Sequence, residues 1–280
     1  MEETACPLCK ERDDKILFNK ESFDVVKCKR CSLVYVNPRL TVKESQRLYN
    51  AEVISPSVYY KETKEEDYIT FQKRLQIIEK YAEKGKILDI GCNIGTFLEV
   101  AKESGWKTYG IDINEGVKKE CLKKGIKFFK GTVAKVKFQK NFFDAVIMND
   151  LIEHVHNPQE LLQQVKRVVK PQGIIFIVTP DVGSYAAKVL KKRWPHFKPN
   201  EHLIYFSRKT LRKVLESEGF VIKEMKHIGR WRKMGTIIQK GQRVWKEMRV
   251  LEKIVPASFM KISMSCNFYD ELYVIAQKSN

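Results

Sequence analysis

The sequence predicts an α/β protein with a mostly parallel sheet, preceded by a small metal-binding module. Three observations predict this. From residue 85 onward, short β-branched runs alternate with helical segments, which is the pattern of βαβ units. A glycine-containing turn joins the first of these strands to a helix. Two Cys-x-x-Cys pairs open the chain.

The elements follow in order. Residues 1–40 hold Cys6-Pro7-Leu8-Cys9 and Cys28-Lys29-Arg30-Cys31, with strand-like runs at Phe23–Lys27 and Ser32–Val36 ended by Asn37-Pro38. Residues 41–84 are charged and helical, a linker whose apolar stripe is Ile69, Leu75, Ile77, Ile78 and Tyr81, with Gly85 as the stop. Residues 85–280 form the main domain. Its strands are expected at Lys86–Ile90, Thr108–Ile111, Ile126–Phe129, Phe143–Met148, Ile174–Val178, Phe220–His227 and Leu272–Ala276. Its helices are expected at Gly95–Ser104, Glu115–Lys124, Pro158–Val169 and Ser207–Glu218, the last with Ser207 as N-cap and Gly219 as stop.

With 280 residues and 43% hydrophobic content, a full core is expected and bulk disorder is not. The start of the chain lacks a basic region followed by an apolar one, and no run reaches about 18 apolar residues. A cytoplasmic protein is expected. Seven cysteines, four of them in two Cys-x-x-Cys pairs, then read as metal binding before disulfide. Cys6, Cys9, Cys28 and Cys31 have the spacing of a closed tetrahedral Zn2+ site, structural rather than catalytic. A redox pair is the weaker alternative. Cys92, Cys121 and Cys266 read as ordinary buried thiols.

The formal charge of +18 suits nucleic acid, anionic lipid or phosphorylated substrates. It equally suits a solvated lysine-rich surface. Within 229–267, Arg230, Arg232, Lys233, Lys240, Arg243, Lys246, Arg249, Lys253 and Lys261 accompany Ile237, Val244, Met248, Leu251 and Val255 at helical spacing. This insertion is expected to be a basic amphipathic helix. It would lie on an anionic membrane surface, cover a lipid-linked substrate, or pack on the domain.

The most informative stretch is Ile87-Leu88-Asp89-Ile90-Gly91-Cys92-Asn93-Ile94-Gly95-Thr96-Phe97-Leu98. Gly91 permits a positive φ and close approach to a ligand, and Gly95 permits tight packing of helix on strand. A dinucleotide site would use G-x-G-x-x-G. Here the spacing is Gly91-x-x-x-Gly95, and Asp89 just before it would repel a pyrophosphate. It would pair with an ammonium such as that of S-adenosylmethionine. Asp112, at the end of the second strand, can accept from both hydroxyls of a ribose.

These segments, with "YGIDIN", "FDAVIMNDLIEHVHNP" and Val169-Lys170-Pro171-Gln172-Gly173, resemble the class I S-adenosylmethionine-dependent methyltransferases over roughly residues 70–228. The resemblance implies a Rossmann-like fold. It implies that Asp89, Gly91 and Gly95 hold the methionine moiety, Asp112 the ribose and Ile113 the adenine, and that Asn149 and Asp150 border the cofactor. Two positions depart from the pattern. Asn93 stands for the usual second glycine, and the acidic residue after the third strand is replaced by Gly131-Thr132-Val133. Backbone groups of Thr132 and Val133 are expected near the adenine. The cysteine module before such a domain resembles sugar and small-molecule methyltransferases and proteins associated with surface glycans.

In this resemblance the Glu201-His202-x-x-Tyr205-Phe206-Ser207 segment places His202 beside the acceptor, as a base. His154, in Leu151-Ile152-Glu153-His154-Val155, is the second catalytic candidate, and His196 a lid residue. The acceptor is expected to be a small molecule or sugar methylated on oxygen or carbon. A quinone-type O-methyltransferase stands beside it. RNA or protein methylation would use the basic surface, but no Asn-Pro-Pro-Tyr amine motif follows the fourth strand, so a nucleic-acid partner is less expected. A cofactor-binding protein without transferase activity is the remaining class.

Overall fold

The computed structural model describes residues 1–53, 63–242, 250 and 254–279. The buried β-branched runs pair into one seven-stranded sheet. Its strands are β4 (Lys86–Ile90), β5 (Lys107–Asp112), β6 (Lys127–Lys130), β7 (Phe143–Asn149), β8 (Val169–Pro180), β10 (Phe220–His227) and β13 (Glu271–Lys278), in the order β10-β13-β8-β7-β4-β5-β6. Strands β4 to β8 run parallel, and β13 is antiparallel to both its neighbours. All seven strands coincide with sequence expectations to within a few residues, except that β8 begins earlier.

The chain winds from β4 out to β6, then returns to β7 on the other side of β4. Such a reversal opens a crevice at the carboxyl ends of the two central strands. Helices α3 (Thr96–Glu103), α4 (Lys118–Lys123), α5 (Val133–Val136), α6 (Pro158–Val168) and α8 (Arg208–Ser217) make or flank the crossovers. α8 starts in a capping box between Ser207 and Thr210.

The N-terminal cysteine module is a smaller antiparallel sheet of β1 (Asp14–Lys20), β2 (Phe23–Cys28) and β3 (Val34–Val36). Its fourth strand is β9 (Ile204–Tyr205), borrowed from far along the chain. Cys6, Leu33 and Tyr35 share one apolar cluster with Leu88, Val146 and Leu203.

Segment 41–84 holds α1 (Val42–Val53) and α2 (Lys64–Ile78). The second helix stops at Ile78, well before Gly85, because closing turns from Lys80 and Tyr81 to Ile77 and Ile78 cap it. Its buried face is Glu66, Thr70, Arg74, Leu75 and Ile78, more polar than the expected stripe. It packs on α3 through Phe71 and Phe97, with ring centroids 5.8 Å apart.

The insertion 229–267 departs from the single amphipathic helix expected. Its ends pair as a ribbon of β11 (Arg230–Lys233) and β12 (Ser263–Cys266), with short helices α9 (Met234–Gly241) and α10 (Ala257–Met260) between them. Residues 243–249 and 251–253, which carry most of the expected stripe, lie outside the described residues. Two of the expected surface cations turn inward instead. Arg230 bonds Asp150 and Glu271, and Arg232 lies 2.9 Å from Asp67. Acidic partners inside the fold outweigh helical periodicity there. No described helix is long and apolar enough to cross a membrane.

Candidate active site and cysteine cluster

The crevice is built first by β4 and β5. Ile90 pairs with Ile111, so Asp89 and Asp112 emerge at the same edge. The turn after β4 is anchored by Gly91 N–H donating to the Ile111 carbonyl at 2.8 Å. Gly91 and Gly95 have φ of 75° and 74°, and Asn93 holds 47°, the left-handed region Asn tolerates. A Cβ on Gly95 would sit 2.5 Å from Ile126 Cδ1, so its absence lets the helix reach the neighbouring strand.

Asp89 is 4% exposed and its Oδ1 has no hydrogen-bond partner. Burial, and then the nearby Asp112, push its carboxyl well above the ordinary carboxylate range. Asp112 is also pushed up by burial, against amide donors from Asn114 at 2.8 Å and Asn93 at 3.0 Å. Tyr49 of α1 donates its hydroxyl to the same carboxylate at 3.3 Å. An orphaned acidic oxygen beside a glycine loop fits a cationic ligand, and a second carboxylate fits vicinal hydroxyls. S-adenosylmethionine carries both features, so the residues present fit it. Ile113 is 36% exposed at the rim. Thr132 is exposed and Val133 buried just beyond β6, at the same sheet edge.

Asn149 and Asp150 close β7 and are less free than the sequence suggested. Asn149 Oδ1 accepts from Arg74 Nη1 at 2.8 Å. Asp150, at φ 50°, accepts from Arg230 Nη2 at 2.6 Å. Although burial opposes it, Arg230 and Arg74 hold the Asp150 carboxyl below its ordinary range. Arg74 is 1% exposed, its Nε and Nη2 have no hydrogen-bond partner, and Nη2 lies 3.8 Å from Glu271 Oε2. Neither arginine was singled out as a crevice residue from sequence, because both come from elements distant along the chain.

Immediately after β7 a single 3-10 turn (Ile152–His154) presents Glu153 and His154. The segment before β9 brings His202 against them, with the rings of His154 and His202 perpendicular at 4.7 Å between centroids. His196 stacks beyond His202 at 6.5 Å and lies 3.6 Å from Asp270. The two histidines chosen from sequence therefore meet in one place. Glu153 was not chosen, although it adjoins His154 in the motif. It is 2% exposed, its Oε2 accepts from Thr179 Oγ1 at 2.9 Å, and its Oε1 has no partner. Burial, then Asp150, push its carboxyl up to about 8. His202 is 6% exposed with Nδ1 unpartnered, and burial with His154 and His196 nearby keeps its ring neutral. Burial also lowers His154.

The four N-terminal cysteines converge. Their sulfurs all lie within 4.8 Å of one another, with Cys6–Cys31 at 3.4 Å and Cys9–Cys28 at 3.5 Å. Those separations are too long for a disulfide, about 2.05 Å. They approach the roughly 3.8 Å edge of a tetrahedron with metal–sulfur bonds of about 2.3 Å. Two tight turns, with Lys10 and Ser32 at positive φ, aim the pairs at one point. The cluster can hold a tetrahedral metal ion.

The family pattern described as a methyltransferase domain matches residues 60–224. An uncharacterized protein of Methanocaldococcus jannaschii is 28% identical over 156 residues, which are 56% of this chain and 74% of that protein. A ubiquinone biosynthesis O-methyltransferase of Haemophilus ducreyi is 30% identical over 34% of this chain and 44% of that enzyme, so the match spans under half of its length. Among solved structures, the 1,6-didemethyltoxoflavin-N1-methyltransferase of Burkholderia thailandensis, with bound 1,6-didemethyltoxoflavin and S-adenosylhomocysteine, is similar at a TM-score of 0.56 and 12% identity, covering 95% of this chain and 100% of that one. With more than half of the chain matched, the chain belongs to the methyltransferase domain family, and its fold is that of the class I S-adenosylmethionine-dependent methyltransferases.

Proposed function

We propose that the protein methylates an oxygen or carbon of a small acceptor, of sugar or quinone-like type, bound beyond the end of β7. The observation that carries this reading is the cluster of Glu153, His154 and His202, with buried lone pairs on Glu153 Oε1 and His202 Nδ1 that no group of the protein satisfies. Unsatisfied buried acceptors are rare in folded proteins, and Glu153 lies three residues past Asp150 at the end of β7, with His202 brought against it from the segment before β9. The bound cofactor supplies an electrophilic methyl group on a sulfonium. Asp89 meets its ammonium and Asp112 its ribose. Neutral His202 offers Nδ1 to the acceptor's hydroxyl or acidic C–H, and the Arg74 and Arg230 pairs fix Asn149 and Asp150 between the two halves of the site. Zn2+ is the ion we assign to the four cysteines, in a structural role. A place in surface-glycan synthesis accords with the module's resemblance.

The test is methyl transfer from labelled S-adenosylmethionine to fractions of nucleotide sugars and polar metabolites, quinone-containing lipids, RNA and protein. Label in the polar or quinone fraction, abolished by His202→Ala while cofactor binding persists, is the expected result. Label only in RNA or protein, or undiminished turnover in His202→Ala, overturns it.

A further inference from the structure

We propose that Glu153, His154 and His202 form a second metal site, distinct from the cysteine cluster, that binds a divalent cation of the zinc, iron(II) or cobalt(II) class. One ligand atom from each residue lies within 4.8 Å of the others. Bonds of about 2.0–2.2 Å to nitrogen and oxygen require ligand atoms roughly 3–3.6 Å apart, which modest side-chain rotation reaches.

The hydrogen bonds around the cluster support a ligand set more strongly than proximity does. Glu153 and His154 are each held through one atom while another stays free. His154 Nδ1 is 2.9 Å from the Glu201 carbonyl. A carbonyl only accepts, so Nδ1 carries the proton and Nε2 keeps its lone pair. His202 Nδ1 is buried without a hydrogen-bond partner. Thr179 Oγ1 holds Glu153 Oε2 and leaves Oε1 bare. Outer groups that orient imidazoles and carboxylates in this way are characteristic of metal ligands. Glu153 and His202 are both more than nine-tenths buried, where a bare acceptor is costly and a cation removes the cost.

Two imidazoles and one carboxylate suit a borderline divalent ion and fill only part of its coordination sphere. The positions left open are available to an added oxygen ligand. The cation's role there, holding an acceptor oxygen in place of His202, rests on the methyl-transfer reading. Its binding does not.

The full chain is loaded with Zn2+ at the cysteines, checked by metal analysis, and titrated with Co2+ by calorimetry and absorption. A second ion per chain is expected, with weak visible bands and none of the intense sulfur-to-cobalt bands of a thiolate site. His202→Gln and Glu153→Gln abolish it. Thr179→Val, which changes neither ligand nor charge, weakens it by about 10- to 100-fold. Absence of a second ion, an added ion that shows thiolate bands, or unchanged Co2+ affinity in both His202→Gln and Thr179→Val overturns the site. Methyl transfer assayed on the same samples separates the two ideas. Co2+ binding without transfer to any acceptor fraction leaves the site and removes the transferase reading. Chelator-insensitive transfer without Co2+ binding does the reverse.

Discussion

The amide of Leu203 donates to the carbonyl of Glu153 at 2.9 Å, and the Leu203 carbonyl accepts from the amide of Val36 at 3.0 Å. One residue thus ties the cysteine module to the turn after β7. His202 is its neighbour, so the module's sheet fixes where that imidazole sits relative to Glu153 and His154. The cysteine cluster and the candidate acceptor site are mechanically joined through β3 and β9.

This joint predicts a remote effect. Cys28→Ser removes one of four converging sulfurs and is expected to weaken metal binding at the cluster, lower the melting temperature and reduce turnover. A displacement of about 1 Å at a reacting group can cost on the order of 100-fold. Cofactor affinity should change little, because β4 and β5 belong to a different sheet from β9 and are not hydrogen-bonded to it. Turnover and cofactor Kd measured on metal-depleted Cys28→Ser check this, and full turnover would dismiss the coupling.

Asp89→Asn keeps the shape of the side chain and removes its charge. Charge-assisted hydrogen bonds contribute about 1.5–3 kcal/mol, so S-adenosylmethionine should bind about 10- to 100-fold more weakly by calorimetry. A Kd within about threefold of the parent would remove Asp89 from the cofactor site.

Asp89 and Asp112 also predict a pH dependence. Both carboxyls lie above their ordinary range in the ligand-free fold, so the folded chain keeps protons that the unfolded chain releases. The stability linked to these groups is fully present below the unfolded carboxylate value of about 3.9 and is lost as pH rises towards the raised folded values. A bound ammonium favours the charged form and reverses that loss. The gain in melting temperature on adding S-adenosylhomocysteine should therefore be larger near pH 8 than near pH 5. A gain that shrinks over that interval would contradict the pairing.

Gly95→Ala forces a Cβ into a left-handed residue and into Ile126. The backbone cost is about 1–2 kcal/mol, and the overlap adds about 1–3 kcal/mol. Denaturant unfolding should show both losses. Adding Ile126→Val, which removes the clashing Cδ1, should restore only the second part. Full recovery would place the whole cost in packing and none in φ.

The central strands β4, β7 and β8 were legible because each is a largely buried apolar run, and burial on both faces leaves little choice of conformation. The placement of Asp89, Gly91, Gly95 and Asp112 around one turn was legible for a related reason: it follows from backbone geometry within about two dozen consecutive residues. The four cysteines were legible from spacing alone, since two short turns bring each pair together.

What the tertiary structure decided lies between distant segments. Arg230 and Arg232 sit in a stretch that reads as an exposed cationic helix, and only the fold shows Asp150, Glu271 and Asp67 waiting for them. Arg74 sits on a helix that reads as an amphipathic linker, and it faces the crevice because α2 packs on α3 and β11. The meeting of His202 with Glu153 and His154 depends on β9 joining a sheet whose other strands end at residue 36. Local sequence encodes dihedral preference and burial over a few turns of chain. Charge partners, borrowed strands and converging lone pairs are set by contacts between segments from 41 residues to well over a hundred residues apart, and no local pattern specifies them.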